Sequence, residues 1–341
     1  MKLEGVSKVM RIAIVGMGHI GRRHFEMING IEFFQLVAIC DVDEERIMQW
    51  RGVNQYNDIS VMLSAEDVDI VVIATPHHLH FEQTMMCLQR RVHVIVEKPM
   101  ALKTDEARKM IEYSRQCECK LWVVKQNRFN TPVFALDHLI KSGKLGKIYF
   151  IEAHVLWNRN DKYYTASSWR GKLKEEGGAL YTHASHFIDL MVEWGGEVVA
   201  ANGFCTRRQQ MIETEDLGSA NLVFSSGALG SVQWTTLAHQ KNFEGSIAVV
   251  GEKGTVKIGG PYLNQFDHWS VEGYPLPGIN WGEDVQDEFN LYQDFGGNHI
   301  KVYYAILHEL ISGKKLSVDG MDGIKSIAAI EKIYSNIQTI A

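Results

Sequence analysis

Positive charge is scarce in this chain. Its 35 lysines and arginines face 41 aspartates and glutamates, a net charge of −6. No basic excess is available to neutralise a phosphate backbone, which argues against a general nucleic-acid binder. Long apolar runs are lacking as well: none reaches the ~18–20 residues of a membrane-spanning helix, so no membrane association is expected. Met1 to Met10 is short, polar and lysine-bearing, without the apolar segment of a signal peptide. Cysteine is sparse, odd in number and scattered (Cys40, Cys87, Cys117, Cys119, Cys205). Cys117-x-Cys119 lacks a second ligand pair, so thiols in a reducing cytoplasm are expected, with no disulfide framework. Neither an internal repeat nor a low-complexity tract is present.

What the chain does contain is an ordinary globular composition, 45% hydrophobic and 22% charged over 341 residues, long enough for two cores. Short apolar runs alternate with amphipathic segments through the first 130 residues. Strands are predicted at 11–16, 36–40, 69–74, 92–96 and 121–124, and helices after Gly21 to about Ile28, at 80–89 and at 105–115. This is the pattern of a doubly wound parallel sheet, an α/β domain. After a helix at 132–141 the character changes. Longer strands at 147–157, 221–224, 228–235 and 246–250, with a hairpin at Gly251-Glu252-Lys253-Gly254, predict a mostly antiparallel sheet with helices on one face. We therefore expect domains at 1–130 and 131–341. Residues 261–297 read as long loops. Helices at 299–312 and 323–339 end the chain, the last expected to pack back on the first domain.

Gly16-Met17-Gly18-His19-Ile20-Gly21 follows a strand and precedes a helix, the context a GxGxxG turn needs to bind a dinucleotide. Gly16 permits the tight turn, Gly18 lets a pyrophosphate approach the backbone, and Gly21 lets helix and strand pack. The N–H groups at the helix start, with their positive field, face the phosphates. Asp41, twenty residues after Gly21 at the end of the second strand, suits the adenosine ribose hydroxyls and repels a 2′-phosphate, which favours NAD. Arg22, Arg23 and Arg46 soften that preference. Thr75-Pro76-His77-His78-Leu79-His80 follows the third predicted strand, at the edge where such sheets bind ligands. A proline turn lining the cofactor explains it better than a metal site, because no cysteine or carboxylate set joins it at ligand spacing.

Glu97-Lys98-Pro99 closes the apolar run 92–96. A lysine emerging there beside a dinucleotide can donate to a substrate oxygen or act as a base, and the proline makes a cis bond plausible. In the second domain, Gly177-Gly178 opens a helix running to about Trp194. At 100° per residue Leu180, Ala184, Phe187 and Met191 share one face, with Thr182, His186, Asp189 and Glu193 opposite, a split any amphipathic surface helix would give. Alcohol oxidation needs a proton acceptor, and histidine titrates near working pH. His186 is the candidate, with Lys98 stabilising the developing alkoxide, or with the two roles exchanged. Asp189 is either its orienting partner or a surface salt-bridge residue. His183 and His186 sit about 60° apart in projection, which disfavours a metal site.

Together, the turn at Gly16–Gly21, Glu97-Lys98-Pro99 and the Gly177-Gly178…His186-x-x-Asp189 helix resemble the glucose–fructose oxidoreductase/inositol dehydrogenase/MocA family. The likeness covers nearly the whole chain. It implies an N-terminal Rossmann domain, a C-terminal α+β domain with a large open sheet, and homo-oligomers (dimers or tetramers) formed through that sheet. More narrowly, Trp157-x-Arg159, Tyr163-Tyr164, Ser168-Trp169-Arg170-Gly171, Ala184-Ser185-His186, Asn242-Phe243-Glu244-Gly245-Ser246 and Gly251 to Lys257 resemble the WlbA-type UDP-N-acetylglucosaminuronate 3-dehydrogenases. Those enzymes oxidise the C3″ hydroxyl of a UDP-linked sugar with NAD during surface-polysaccharide biosynthesis, and some recycle NADH with 2-oxoglutarate.

The resemblance implies that Lys98 and His186 carry the chemistry. NAD would be held by Gly16, Gly18, His19, Ile20, Gly21, Asp41, Thr75, Pro76, His80, Glu97, Lys98, Gln126, Trp169 and Arg170. Lys98, Arg159, Tyr163, Tyr164, Thr182, His183 and His186 would meet the substrate. Two departures bear on the substrate: many family members carry Asp where this chain has Thr182, and WlbA-type chains tend to have Asn-Gln in place of Thr182-His183. A free sugar, inositol or another sugar nucleotide is the alternative substrate, and a cofactor-binding regulator without turnover is the third reading.

Overall fold

A computed structural model describes residues 9–260, 263–276, 298–314 and 318–340. The chain divides into two units, one of residues 1–124 and 299–324, the other of residues 125–298 and 325–341. The helix Asn298–Ser312 thus lies almost wholly in the first unit, and the helix Gly320–Tyr334 starts in the first and ends in the second.

The first unit is built on a six-stranded sheet of order β3-β2-β1-β4-β5-β6, parallel throughout. Its strands are β1 (Met10–Val15), β2 (Phe34–Cys40), β3 (Asn54–Tyr56), β4 (Ile70–Ile73), β5 (His93–Val96) and β6 (Leu121–Val123). Ile12 to Val15, Ile70 to Ile73 and Val94 to Val96 are buried, as expected of strands covered by helices on both faces. Helices α1 (His19–Asn29), α2 (Glu44–Ile47), α3 (Ile59–Ala65), α4 (His80–Gln89) and α5 (Thr104–Gln116) connect them. Strand order reverses between β1 and β4, so the segments leaving β1, β2, β4 and β5 share one sheet edge, where such folds bind ligands. The edge strand β3 has no counterpart in the sequence reading, because three polar residues carry neither alternation nor an apolar run. The short helices α2 and α3 are similarly quiet in pattern; Asp43 and Asp58 cap them by accepting backbone N–H bonds.

The second unit holds an eight-stranded sheet of order β13-β12-β11-β7-β10-β9-β8-β14. Its strands are β7 (Ile148–Leu156), β8 (Val198–Thr206), β9 (Leu217–Phe224), β10 (Leu229–Thr235), β11 (Glu244–Gly251), β12 (Gly254–Gly259), β13 (Gln265–Val271) and β14 (Ile337–Thr339). Pairing is antiparallel except between β7 and β10 and between β8 and β14. In β9 buried residues alternate strictly with exposed ones, the mark of a sheet with one covered face. Ala220, Leu222, Phe224 and Trp234 face inward, while Leu217, Val223 and Leu229 stay exposed. The helices of this unit include α6 (Thr131–Lys141), α7 (Asp161–Thr165), α8 (Leu173–Glu176) and α9 (Ser185–Gly195).

Three expectations are corrected here. Part of the stretch 261–297 forms strand β13, an edge strand whose mixed polar and aromatic residues hide its alternation; residues 261, 262 and 277–297 of that stretch lie outside the described residues. The final helix stops at Tyr334, and Ile337–Thr339, with two β-branched residues, pairs beside β8. The helix after Gly177-Gly178 does not run uniformly: Leu180–Ala184 is a wide π-type turn that passes into α9. A 100° phase therefore does not extend through it. Nor is there a solvent face, since from Leu180 to Gly195 every residue except Thr182 and Glu193 is buried.

Candidate active site

At the ligand edge of the first unit, Gly16 takes φ +93°, and a Cβ there would stand 2.7 Å from the Ala74 carbonyl group. A Cβ on Gly21 would stand 1.8 Å from the Gly16 oxygen, so α1 packs against the turn only without a side chain. Gly18 differs: the one atom near its missing Cβ is Arg46 Nη1 at 3.8 Å, which leaves room for a phosphate group. Gly18 also begins α1 with no side-chain cap and no acidic residue in the first turn, so N–H groups and the positive helix end remain for an anion. Asp41 is buried; its Oδ2 accepts the Met17 N–H at 2.7 Å and its Oδ1 the Asp43 N–H at 2.9 Å. The carboxylate thus holds the glycine turn while ending β2. Arg46 Nη1 lies 3.8 Å from it. An uncapped helix, open space at Gly18 and a carboxylate at the end of β2 fit an NAD.

Beyond β4 and β5, the ring of His80 is fully buried, with Nδ1 2.7 Å from the Pro99 carbonyl oxygen and Nε2 2.8 Å from that of Thr75. Burial pulls its pKa down against the lift from those carbonyls, and as a neutral ring it donates to one of them at a time. His80 therefore ties the two strand exits together from inside. Lys98-Pro99 is a cis peptide and Lys98 is half-buried. Glu97 is buried behind it; Oε1 meets His24 Nε2 at 3.0 Å and Oε2 accepts the Lys98 N–H at 3.1 Å. Burial raises the Glu97 carboxyl, but the His24 hydrogen bond and charge outweigh it and hold the pKa down at about 2. Tyr303 Oη, 2.8 Å from His24 Nδ1, completes the row.

In the second unit, His186 is buried on α9, and its Nε2 lies 2.9 Å from the Gln126 side-chain nitrogen. Asp189, one turn further on, is neither exposed nor engaged as an orienter in the expected way. Its Oδ1 accepts from Lys125 Nζ at 2.6 Å and Arg128 Nη2 at 2.9 Å, and its Oδ2 from Arg128 Nε at 2.7 Å. Burial opposes its ionisation, yet the Arg128 and Lys125 charges hold its carboxyl well below the usual range. Glu193 extends the network to Arg128 and Lys141. The correction has a physical reason: a carboxylate buried on a core helix must be paired, and Lys125 and Arg128 supply the charge.

A second group of side chains lies nearby in sequence and packing. Arg159 stacks over Trp157 and Tyr163, and Arg170 over Tyr163 at 4.2 Å. The His183 ring lies against Trp157 and Tyr163 at 5.9 and 5.7 Å. Among the described residues neither guanidinium has a carboxylate within ion-pair reach, and the Nε of each is buried without a partner. The fold thus gathers Arg170, expected at the cofactor, with the substrate candidates Arg159, Tyr163 and His183. Tyr164 belongs to the core, its hydroxyl 3.4 Å from Thr236 Oγ1, and Thr182 is half-buried, its N–H on the Gly178 oxygen. Sequence reasoning missed the pairing of Gln126 with His186 and of Lys125 and Arg128 with Asp189. The available signal was two cations flanking a polar pair, Lys125-Gln126-Asn127-Arg128, directly after a buried strand.

Residues 10–125 match the model described as oxidoreductase family, NAD-binding Rossmann fold, and residues 133–257 match the GFO/IDH/MocA C-terminal domain. Among solved structures, the chain is similar to the WlbA dehydrogenase from Bordetella pertussis in complex with NADH and UDP-GlcNAcA. Identity is 32%, TM-score 0.86, with 96% of each chain covered. It is similar also to the WlbA dehydrogenase from Chromobacterium violaceum with the same two ligands, at 31% identity and TM-score 0.88, covering 97% of this chain and 94% of that one. A 1-carboxy-3-chloro-3,4-dihydroxycyclohexa-1,5-diene dehydrogenase from Comamonas testosteroni is 28% identical over 257 residues; the match covers 72% of this chain but only 63% of that protein's length.

Proposed function

Because this chain belongs to the GFO/IDH/MocA family of NAD-dependent oxidoreductases, we propose that it oxidises the C3″ hydroxyl of a UDP-linked N-acetylglucosaminuronic acid to a ketone. The carrying observation is the likeness to two dehydrogenases that hold UDP-GlcNAcA, at 31–32% identity over at least 96% of this chain. The stacked guanidiniums of Arg159 and Arg170, with no carboxylate in ion-pair reach among the described residues, support it, since they suit an anionic sugar nucleotide better than a neutral free sugar. Bound NAD supplies the acceptor for the hydride that leaves the carbinol carbon. In this reading His186 accepts the hydroxyl proton and Lys98 steadies the oxygen as charge develops on it. The uncapped start of α1 would hold the cofactor's phosphates and Asp41 its ribose.

The test is a single-turnover assay with NAD confirmed bound, following reduced cofactor after mixing with UDP-GlcNAcA, UDP-N-acetylglucosamine, free glucose or myo-inositol. Stoichiometric reduction with UDP-GlcNAcA and none with the free alcohols is expected. Reduction by myo-inositol or glucose but not by UDP-GlcNAcA would overturn the proposed substrate.

A further inference from the structure

Among the described residues an amide faces His186 Nε2, and residues flanking that amide are held in a buried ion-pair network. Gln126 Nε2 lies 2.9 Å from His186 Nε2, while Gln126 Oε1 is buried with no hydrogen-bond partner among the described residues. The residues on either side of Gln126 are anchored. Lys125 binds Asp189 Oδ1 at 2.6 Å and Ser326 Oγ at 2.8 Å, and Arg128 grips both Asp189 oxygens. Asp189 lies three residues after His186 on α9, so one carboxylate clamps the turn carrying Gln126 onto the helix carrying His186. The charged groups of this corner (Asp189, Glu193, Lys125, Arg128, Lys141) are paired with one another. His183, on the same helical segment, packs on Trp157 and Tyr163.

We propose that Gln126 is the positioning residue of His186 and that the Asp189 ion-pair cluster serves to deliver Gln126 to it. An amide suits both protonation states. With its N–H toward the ring it caps the Nε2 lone pair; turned about its last torsion, the spare Oε1 accepts from Nε2–H, which leaves the Nδ1 lone pair to take the hydroxyl proton, and the same bond persists in the imidazolium. A carboxylate in the same place would favour the charged ring and raise its pKa. The inference deepens the reading of His186 as proton acceptor, but its physical content, which group faces the imidazole, stands apart from any substrate.

The test is an NMR titration of ring-labelled protein without substrate, with the His186 signal assigned by its loss in His186→Asn. Gln126→Glu should raise the His186 pKa by about one unit or more relative to wild type. Gln126→Leu should leave it without that rise but alter the ring nitrogen shifts, since the hydrogen bond is gone. Lys125→Met keeps the Arg128 grip on Asp189 and should still fold, while broadening or shifting the His186 signal. A His186 pKa unchanged in Gln126→Glu would overturn the first half of the proposal. Unaltered His186 ring signals in Lys125→Met would overturn the second. If UDP-GlcNAcA is no substrate but these shifts occur, only the substrate assignment fails. On any alcohol that is turned over, the acid limb of the pH–rate profile should move up in Gln126→Glu by the same amount as the NMR pKa.

Discussion

Glu215 governs the start of the segment that carries His183 and His186, and its ionisation is costly. Its Oε1 accepts from Tyr334 O–H at 2.6 Å, Ala179 N–H at 3.0 Å and Trp234 Nε1–H at 3.2 Å. Leu180 N–H in turn donates to the Tyr334 oxygen at 3.0 Å. Gly178, at φ +123°, leaves space for this knot: a Cβ there would stand 2.3 Å from Tyr334 Oη and 2.9 Å from Glu215 Oε2. Burial raises the Glu215 carboxyl more than the three donors lower it, and the pKa is pushed up to about 7 from an ordinary 4.5. Since the folded value exceeds the unfolded one, the folded protein holds an extra proton between those pH values. The stabilisation is fully present below pH 4.5 and is lost as pH rises through 7. At 1.36 kcal/mol per unit the loss is about 3 kcal/mol. In Glu215→Gln the amide oxygen accepts the same three donors without a charge. The variant should match wild type near pH 4.5 and become more stable by about 2–3 kcal/mol at pH 8. Parallel urea denaturation of both proteins from pH 4.5 to 8 measures this, because other titrating groups cancel in the difference. A stability difference flat across that range would refute the reasoning.

Two other substitutions probe the reaction and the cofactor. Lys98→Met and His186→Asn should each lower turnover by roughly two orders of magnitude or more while leaving NAD affinity nearly unchanged; normal rates in both would discard the site assignment. Asp41→Ala removes the acceptor of the Met17 N–H and, on the proposed reading, the ribose partner, and should weaken NADH binding about tenfold or more by fluorescence titration. Affinity at the wild-type level would mean that Asp41 does not face the ribose.

The parallel sheet was legible in the sequence because its strands are buried on both sides and read as short apolar runs: Ile12 to Val15, Ile70 to Ile73 and Val94 to Val96 leave little ambiguity. Elements at sheet edges were not. Asn54–Tyr56, Gln265–Val271 and Ile337–Thr339 are strands by virtue of a neighbour's backbone, and a half-exposed edge imposes weak patterning. Periodicity also misjudged α9. A split of polar and apolar residues looks the same whether the polar side faces water or a buried cluster of opposite charges, and only Lys125 and Arg128, some 60 residues away, distinguish the two for Asp189.

Local chemistry was determined by the chain itself: which turn lacks side chains and which strand ends in Asp41. These follow from residue type and short spacing, where covalent geometry limits the options. Partnership was decided by the tertiary fold. The amide beside His186, the three donors on Glu215 and the cations on Asp189 come from segments far apart in sequence, and burial makes each pairing obligatory because an unpaired polar group there would lose its water without replacement.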